Sequence, residues 1–397
     1  MKDNPGEISP VAALLAALSG VLGIGVISGV AISVAIGGPG ALFWMMITGI
    51  MVTSLKIAEV TLSHKYRKVN QDGKVFGGPF YYMRDGLKQI GLGKLGRICA
   101  SVYAALLVAA MMSGSIMFQA NQAVTIIASE ITSLSEHKNI LSLLFAAMLA
   151  TVIIGGVRRI AKVASAITPL MTFLYTVACL TIIIMHSDGM LATIRLIIQD
   201  AFSGSAIGGS FIGVLVAGVS RAVYCSEAGI GTTSILHAAS KNHSAAQEGI
   251  ISMLEPLATT LMCLITGLAI VITNAYNAPG VSCNGILITK SAFLAVSSYF
   301  PILLAIAVPL FAFSTVIALN YYGEMGWIYL FNQKSTVLYK VLFVMAVYIG
   351  GISREMLPLI QMGDYLYMAL VIPNLIALYP LTAQLEQRIY NYRNNSI

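Results

Sequence analysis

Ser19-Gly-Val-Leu-Gly-Ile-Gly-Val-Ile-Ser-Gly29 and Gly218-Val-Ser-Arg-Ala-Val-Tyr-Cys-Ser-Glu-Ala-Gly-Ile-Gly231 are the two stretches that decide the fold. Each lies in a long apolar run and is punctuated by glycines. A glycine costs about 1 kcal/mol relative to alanine in a helix interior. Such clusters therefore mark either close backbone packing or a place where the helix is interrupted. One cluster opens each half of the chain, and paired interruptions of this kind point to a binding site near the middle of a membrane. The expected breaks lie near Gly23–Gly25 and Ser226–Gly231.

The rest of the chain places these stretches in a bilayer. Of 397 residues, 57% are hydrophobic and 10% charged, against about 25% charged in a soluble domain. The mean hydropathy is +0.84. The apolar runs are long, do not alternate with polar residues and are rich in Ala, Leu, Ile and Met. That pattern predicts helices rather than a barrel. Ten spans are expected, at roughly 11–36, 39–63, 98–129, 140–155, 163–186, 206–240, 249–273, 293–320, 338–351 and 365–385. They divide into two halves, 11–186 and 206–385, within one transmembrane domain. Five helices per half force the halves to be inverted relative to each other.

Charge supplies the orientation. The net charge of +7 does not indicate nucleic acid, because the basic residues lie between the apolar runs. With the segment Lys65–Arg97 inside, 17 Lys and Arg residues fall on that side and four (Lys138, Arg195, Lys290 and Arg354) on the other. The asymmetry places both termini in the cytoplasm and suits a multi-pass protein of a bacterial inner membrane. No signal peptide is read in Met1–Pro10, which carries Asp3 and Glu7 where a basic segment belongs. Cys99, Cys179, Cys225, Cys263 and Cys283 show no CxxC spacing, and no metal or other cofactor is expected. No set of residues suggests an enzyme.

Several further motifs follow in order: Gly6-Glu-Ile-Ser-Pro10, Gly37-Gly-Pro-Gly-Ala41, Lys56-Ile-Ala-Glu59, Lys65-Tyr-Arg67 and Gly77-Gly-Pro-Phe-Tyr-Tyr82. Gln119-Ala-Asn121, Ser226-Glu-Ala-Gly229, Met253-Leu-Glu255, Phe313-Ser-Thr315, Tyr321-Tyr-Gly-Glu324 and Pro373-Asn-Leu-Ile-Ala-Leu378 continue the series. Over nearly its whole length the chain resembles the alanine or glycine:cation symporter family. The resemblance implies a LeuT-type five-plus-five fold and sodium-coupled uptake of small neutral amino acids.

A broken helix suits such a substrate. Its free amides attract a carboxylate, and its free carbonyls attract an ammonium group or a hard cation such as Na⁺. The expected substrate contacts are Gly23, Ile24, Gly25, Gln119, Ser226, Thr315 and Leu319, with Gln119 and Thr315 singled out by the resemblance. Gly20, Gly23, Ser314 and Thr315 are the candidate cation ligands. Glu227 and Glu255 are candidates for coupling to a proton or cation. Lys56 and Glu59, one helical turn apart, read as a pair at the membrane surface, and His64, His186 and His243 as interface residues.

The chain departs from the family at its site. Where the family reads STVGTGN, this chain has Gly20-Val-Leu-Gly-Ile-Gly-Val26, and SNEAG becomes Cys225-Ser-Glu-Ala-Gly229. Thr259-Thr260 stands where an acidic residue followed by threonine is common, and Leu319 where a tryptophan is usual. The helix that usually precedes the Gly6–Pro10 motif is missing, so the sequence starts about one span late. Fewer oxygen ligands imply weakened sodium dependence and a more apolar pocket. The alternatives are proton coupling, or an uncoupled protein of the same fold serving as a facilitator or sensor.

Overall fold

The computed structural model describes residues 6–203, 211–278, 284–354 and 357–394. Seven helices among them are long and apolar enough to cross a bilayer, and a bent pair makes eight. In chain order the first span is the bent pair Pro10–Val21 and Ile24–Gly37, and the second is Ala41–Lys65. The third is Gly93–Glu130 and the fifth Gly156–Met185. The seventh to tenth are Ala245–Ile272, Pro301–Phe331, Gln333–Ile352 and Gln361–Ala383. Shorter apolar helices, Lys138–Ile153 and Phe211–Ser226, fill the fourth and sixth places. The expected start of the sixth span, 206–210, and Cys283 lie outside the described residues.

Both glycine clusters interrupt their helices. In the first span the α-helix ends at Val21, Gly23 is extended, and a 3-10 turn over Ile24–Val26 leads into the second half-helix, bent by 54°. The sixth span ends at Ser226. Glu227 (φ 52°), Gly229 (φ 85°) and Gly231 (φ 89°) then adopt left-handed backbone before the short helix Ser234–Ala238. A left-handed conformation is costly for a residue with a side chain, so Glu227 is held there by its surroundings.

The expected eighth span, 293–320, requires correction. Residues Gly285–Leu294 form a separate helix, and a new one begins at Pro301, which occupies its first turn. Proline favours that position because no helical partner for its missing N–H is needed there. The helix then runs to Phe331, beyond the expected end.

Packing follows from the breaks. The N-terminal half of the first span lies against the fifth and eighth spans, while its second half lies against the helix Phe211–Ser226 of the sixth. Small residues allow close approach. At Gly218 a Cβ would stand 2.4 Å from the Ala41 carbonyl and 2.7 Å from Trp44 Cβ. An amphipathic helix, Met190–Ser203, braces the start of the second span, where the Asp200 carboxylate accepts the Gly40 amide at 2.7 Å. Apolar side chains face outward around the bundle, as at Met51, Ile154 and Val337, which are 71–74% exposed. Such a surface suits lipid and not water.

Gly218→Ala is expected to lower the apparent melting temperature of the detergent-solubilised protein, because the obstacle is backbone and cannot swing aside. Gly25→Ala, whose Cβ would meet nothing nearer than 3.6 Å, is expected to leave it nearly unchanged. Fluorescence-detected size exclusion after a heating series reads both.

Candidate functional site

Between the two breaks lies a cavity of about 30 Å³, room for little more than one or two water molecules. Its walls include Gly20, Gly23 and Gly25 of the first span, Gln119 of the third, Glu227 at the sixth-span break, and Thr315 and Leu319 of the eighth. Gln119, Glu227, Thr315 and Leu319 are all buried.

Hydrogen bonds show how the first break is held. In a continuous helix the Ile24 amide would pair with the Gly20 carbonyl. It donates instead to Gln119 Oε1 at 3.0 Å. The carbonyl of Ser19, which the Gly23 amide would otherwise take, accepts the Thr315 hydroxyl at 2.8 Å. Gly23 itself is required by proximity: a Cβ there would stand 2.7 Å from Thr315 Oγ1 and 3.2 Å from Gln119 Nε2. Gln119 and Thr315 thus supply the partners that helix continuation would have supplied, and both also face the cavity.

At the second break Thr232 donates to the Glu227 carboxylate. Tyr103 donates to the Ile230 carbonyl at 2.7 Å, and Asn374 donates to the Gly229 carbonyl at 2.9 Å. The left-handed turn is therefore fixed by the third and tenth spans.

Several expected residues lie one layer back from the cavity. Ile24 contributes its amide to the Gln119 bond, and its side chain is packed in the core. Ser226 is buried with its hydroxyl 3.4 Å from the Val223 carbonyl. Ser314 donates to the Phe311 carbonyl at 3.0 Å and approaches Met171 Sδ at 3.2 Å, while its own carbonyl lies 3.3 Å from the Ser19 hydroxyl. Glu255 belongs to a different cluster, with Lys56 and His237.

The surface-pair reading of Lys56 and Glu59 is overturned, since both are completely buried. The second span is wrapped there by the sixth, seventh and tenth. Lys56 meets Thr233 and Glu255, and Glu59 accepts the Asn374 amide at 2.7 Å. His64, expected at an interface, is also buried.

Sequence reasoning missed Ser115, Tyr224 and Tyr367, which line the cavity together with Val21 and Cys225. The Tyr224 and Tyr367 rings lie 5.3 Å apart, and the Arg221 guanidinium sits over Tyr224 at 5.2 Å. Tyr224 carried a usable signal, being one residue from the already suspicious Cys225–Gly229 motif. Tyr367 carried none, because its proximity depends on how the tenth span docks.

Comparison with known proteins fixes the family and the fold. Residues 1–396 match the model of the sodium:alanine symporter family. The chain is 35% identical to the sodium/alanine symporter AgcS of Methanococcus maripaludis, over 96% of this chain and 83% of that protein. It is 31% identical to the probable sodium/glutamine symporter GlnT of Bacillus subtilis, over 98% and 79% of the two. Among solved structures, MhsT in complex with L-phenylalanine superposes with a TM-score of 0.60 at 14% identity, over 94% of this chain and 88% of that one. The chain is thus a multi-pass membrane protein with a LeuT-type fold, and it belongs to the sodium:alanine symporter family, a family of transporters and not of enzymes.

Proposed function

We propose that this member of a cation-coupled amino-acid transporter family is a symporter of small neutral amino acids, alanine- or glycine-like, acting in a bacterial inner membrane with both termini cytoplasmic. Residues 11–186 and 206–385 form its inverted halves. The observation that carries the reading is the small cavity between two broken helices, where backbone polar groups are released from helical pairing beside Gln119 and Thr315.

The substrate carboxylate docks at the amides of the first-span break and its ammonium group at released carbonyls. Both interactions gain from the low dielectric of a site that excludes water. The cavity must widen to admit even alanine, and Leu319 in its wall favours an apolar side chain over a charged one.

Na⁺ is the cation in the family's description, and the Gly20 and Gly23 carbonyls with Thr315 are its candidate ligands. Three features weaken that site. The Ser19 carbonyl is occupied by Thr315. Ser314 is turned to Phe311. The Met171 thioether sits beside Ser314 where a further oxygen could have been. A hard cation prefers oxygen, and thioether sulfur is a soft ligand. An under-coordinated buried cation is costly, so sodium dependence is weaker than is usual for the family.

Radiolabelled alanine uptake into proteoliposomes, under an imposed cation gradient, tests the substrate assignment. Unlabelled alanine and glycine should compete, whereas aspartate and lysine should not. Competition by the charged amino acids alone would sink it. At fixed membrane potential, replacing Na⁺ by choline should lower uptake only a few-fold. Strong stimulation by Na⁺ that disappears in Thr315→Ala would instead establish a fully formed sodium site.

Gly23→Ala should abolish binding and uptake, because its Cβ collides with Thr315 and Gln119. Gly25→Ala should retain measurable uptake, since Cys225 Sγ lies 3.6 Å from its Cβ position. Parallel uptake assays at matched protein levels check the contrast.

A further inference from the structure

A second pocket, of about 120 Å³, lies apart from the cavity between the breaks, on the face that the charge pattern assigns to the cytoplasm. The cavity between the breaks, at about 30 Å³, is much smaller. Four parts of the chain meet at the second pocket. Glu7 comes from the segment before the first span and Lys74 from the loop after the second. Residues 155–158 open the fifth span, and Glu324 lies toward the end of the eighth.

Groups of both signs line this pocket without full partners. The fifth span begins at Gly156, in left-handed backbone (φ 65°), and its N-cap, Gly155, has no side chain to offer the first amides. The N-terminus of this 30-residue helix therefore presents unpaired N–H groups and partial positive charge. A Cβ at Gly156 would meet nothing within 4 Å, so the approach to these amides is open. Lys74 and Arg158 also line the pocket, and neither makes an ion pair among the described residues. On the acidic side, Glu324 is only 5% exposed. Its Oε1 lies 3.3 Å from Lys340 Nζ, while its Oε2 is buried with no hydrogen-bond partner among the described residues. Lys340 also donates to the Ile153 carbonyl at 2.9 Å, and Lys74 acts on Glu324 only at longer range. Glu7 Oε1 accepts the Val75 amide at 2.9 Å.

The mixture of signs selects the ligand. A simple anion meets repulsion from Glu7 and Glu324, and a simple cation meets repulsion from Lys74, Arg158 and Lys340. A small zwitterion satisfies both sets. An α-amino acid carries its two charges side by side. Its carboxylate suits the free amides of the fifth span together with Arg158 and Lys74. Its ammonium group supplies the donor that Glu324 Oε2 lacks, and a buried carboxylate oxygen left unsatisfied is costly.

Occupancy joins parts of the chain that are otherwise separate. The segment carrying Glu7 leads into the inner half of the first span. It is tied to the residues beyond the sixth-span break, with the Glu7 amide on the Ala239 carbonyl and the Lys241 amide on the Ile8 carbonyl, each at 2.8 Å. An amino acid in the pocket fastens this segment to the fifth and eighth spans as well, and so resists release toward the cytoplasm.

We propose that this pocket is a second amino-acid site, entered from the cytoplasm, and that its occupancy by the transported amino acid slows further uptake. The identity of the amino acid rests on the symport reading; the site and its regulatory effect go beyond it.

Equilibrium dialysis of the detergent-solubilised full-length protein against radiolabelled alanine counts the sites. The wild type should bind two alanines per chain. Gly23→Ala, in which the cavity between the breaks is blocked, should keep one, and so should Arg158→Gln, a change at an exposed side chain. The double variant should bind none. Acetate and ethylammonium, which carry one charge each, should not displace the alanine kept by Gly23→Ala. In right-side-out membrane vesicles, preloaded unlabelled alanine should slow tracer alanine entry several-fold in the wild type but not in Arg158→Gln or Lys74→Gln. Exchange alone would speed it. One site in the wild type that Gly23→Ala removes would overturn the second site and leave the symport reading intact, whereas one site that only Arg158→Gln removes would do the reverse. Two sites that persist in Arg158→Gln and Lys74→Gln, displacement by acetate alone, or equal slowing in all three proteins would also overturn the proposal. No binding to the wild type would overturn both readings.

Discussion

A helix that stops inside a bilayer leaves backbone amides and carbonyls that no water can satisfy, at a cost of several kcal/mol each. The rest of this structure depends on how that cost is met. At the first break, Gln119 takes the Ile24 amide and Thr315 takes the Ser19 carbonyl. At the second, Tyr103 takes the Ile230 carbonyl and Asn374 the Gly229 carbonyl. The third, eighth and tenth spans are therefore bound to their places by polar contacts as well as by packing. Those contacts also place the polar groups around one small cavity.

Such partners can be exchanged. A carboxylate brought to the Ile24 amide competes with Gln119, and a cation brought to the Ser19 carbonyl competes with Thr315. On the proposed reading, ligand binding and the grip on the broken helix are linked, as alternating access demands of a site. Glu227 lies in the cavity wall and is held by Thr232, and the adjacent Thr233 holds Lys56.

Much of the fold was legible in the sequence, because lipid imposes length and composition on every span. The glycine clusters marked both breaks, and the resemblance picked out Gln119 and Thr315. Boundaries failed where an apolar run concealed a turn, as before Pro301. The local pattern could not separate a lipid-facing helix from the short helix Gly285–Leu294. Burial of charge was the larger failure. Lys56 and Glu59 sit near the end of a span, where surface placement is the ordinary expectation. Only docking of the sixth, seventh and tenth spans over them reverses it. His237 passed unnoticed for the same reason, since its partners lie 11 and 18 residues away and meet it only in the folded chain. Ser314 illustrates the converse: a hydroxyl of the right type in the right helix, turned to its own backbone at Phe311.

The most direct measurement is a structure determined with alanine bound. The expected result is density for the amino acid between the two breaks, its carboxylate on the amides at Ile24 and Gly25, and the Gln119 side chain displaced from Ile24. An intact Gln119–Ile24 bond, with alanine bound elsewhere or both glycine clusters continuous α-helix, would contradict the account.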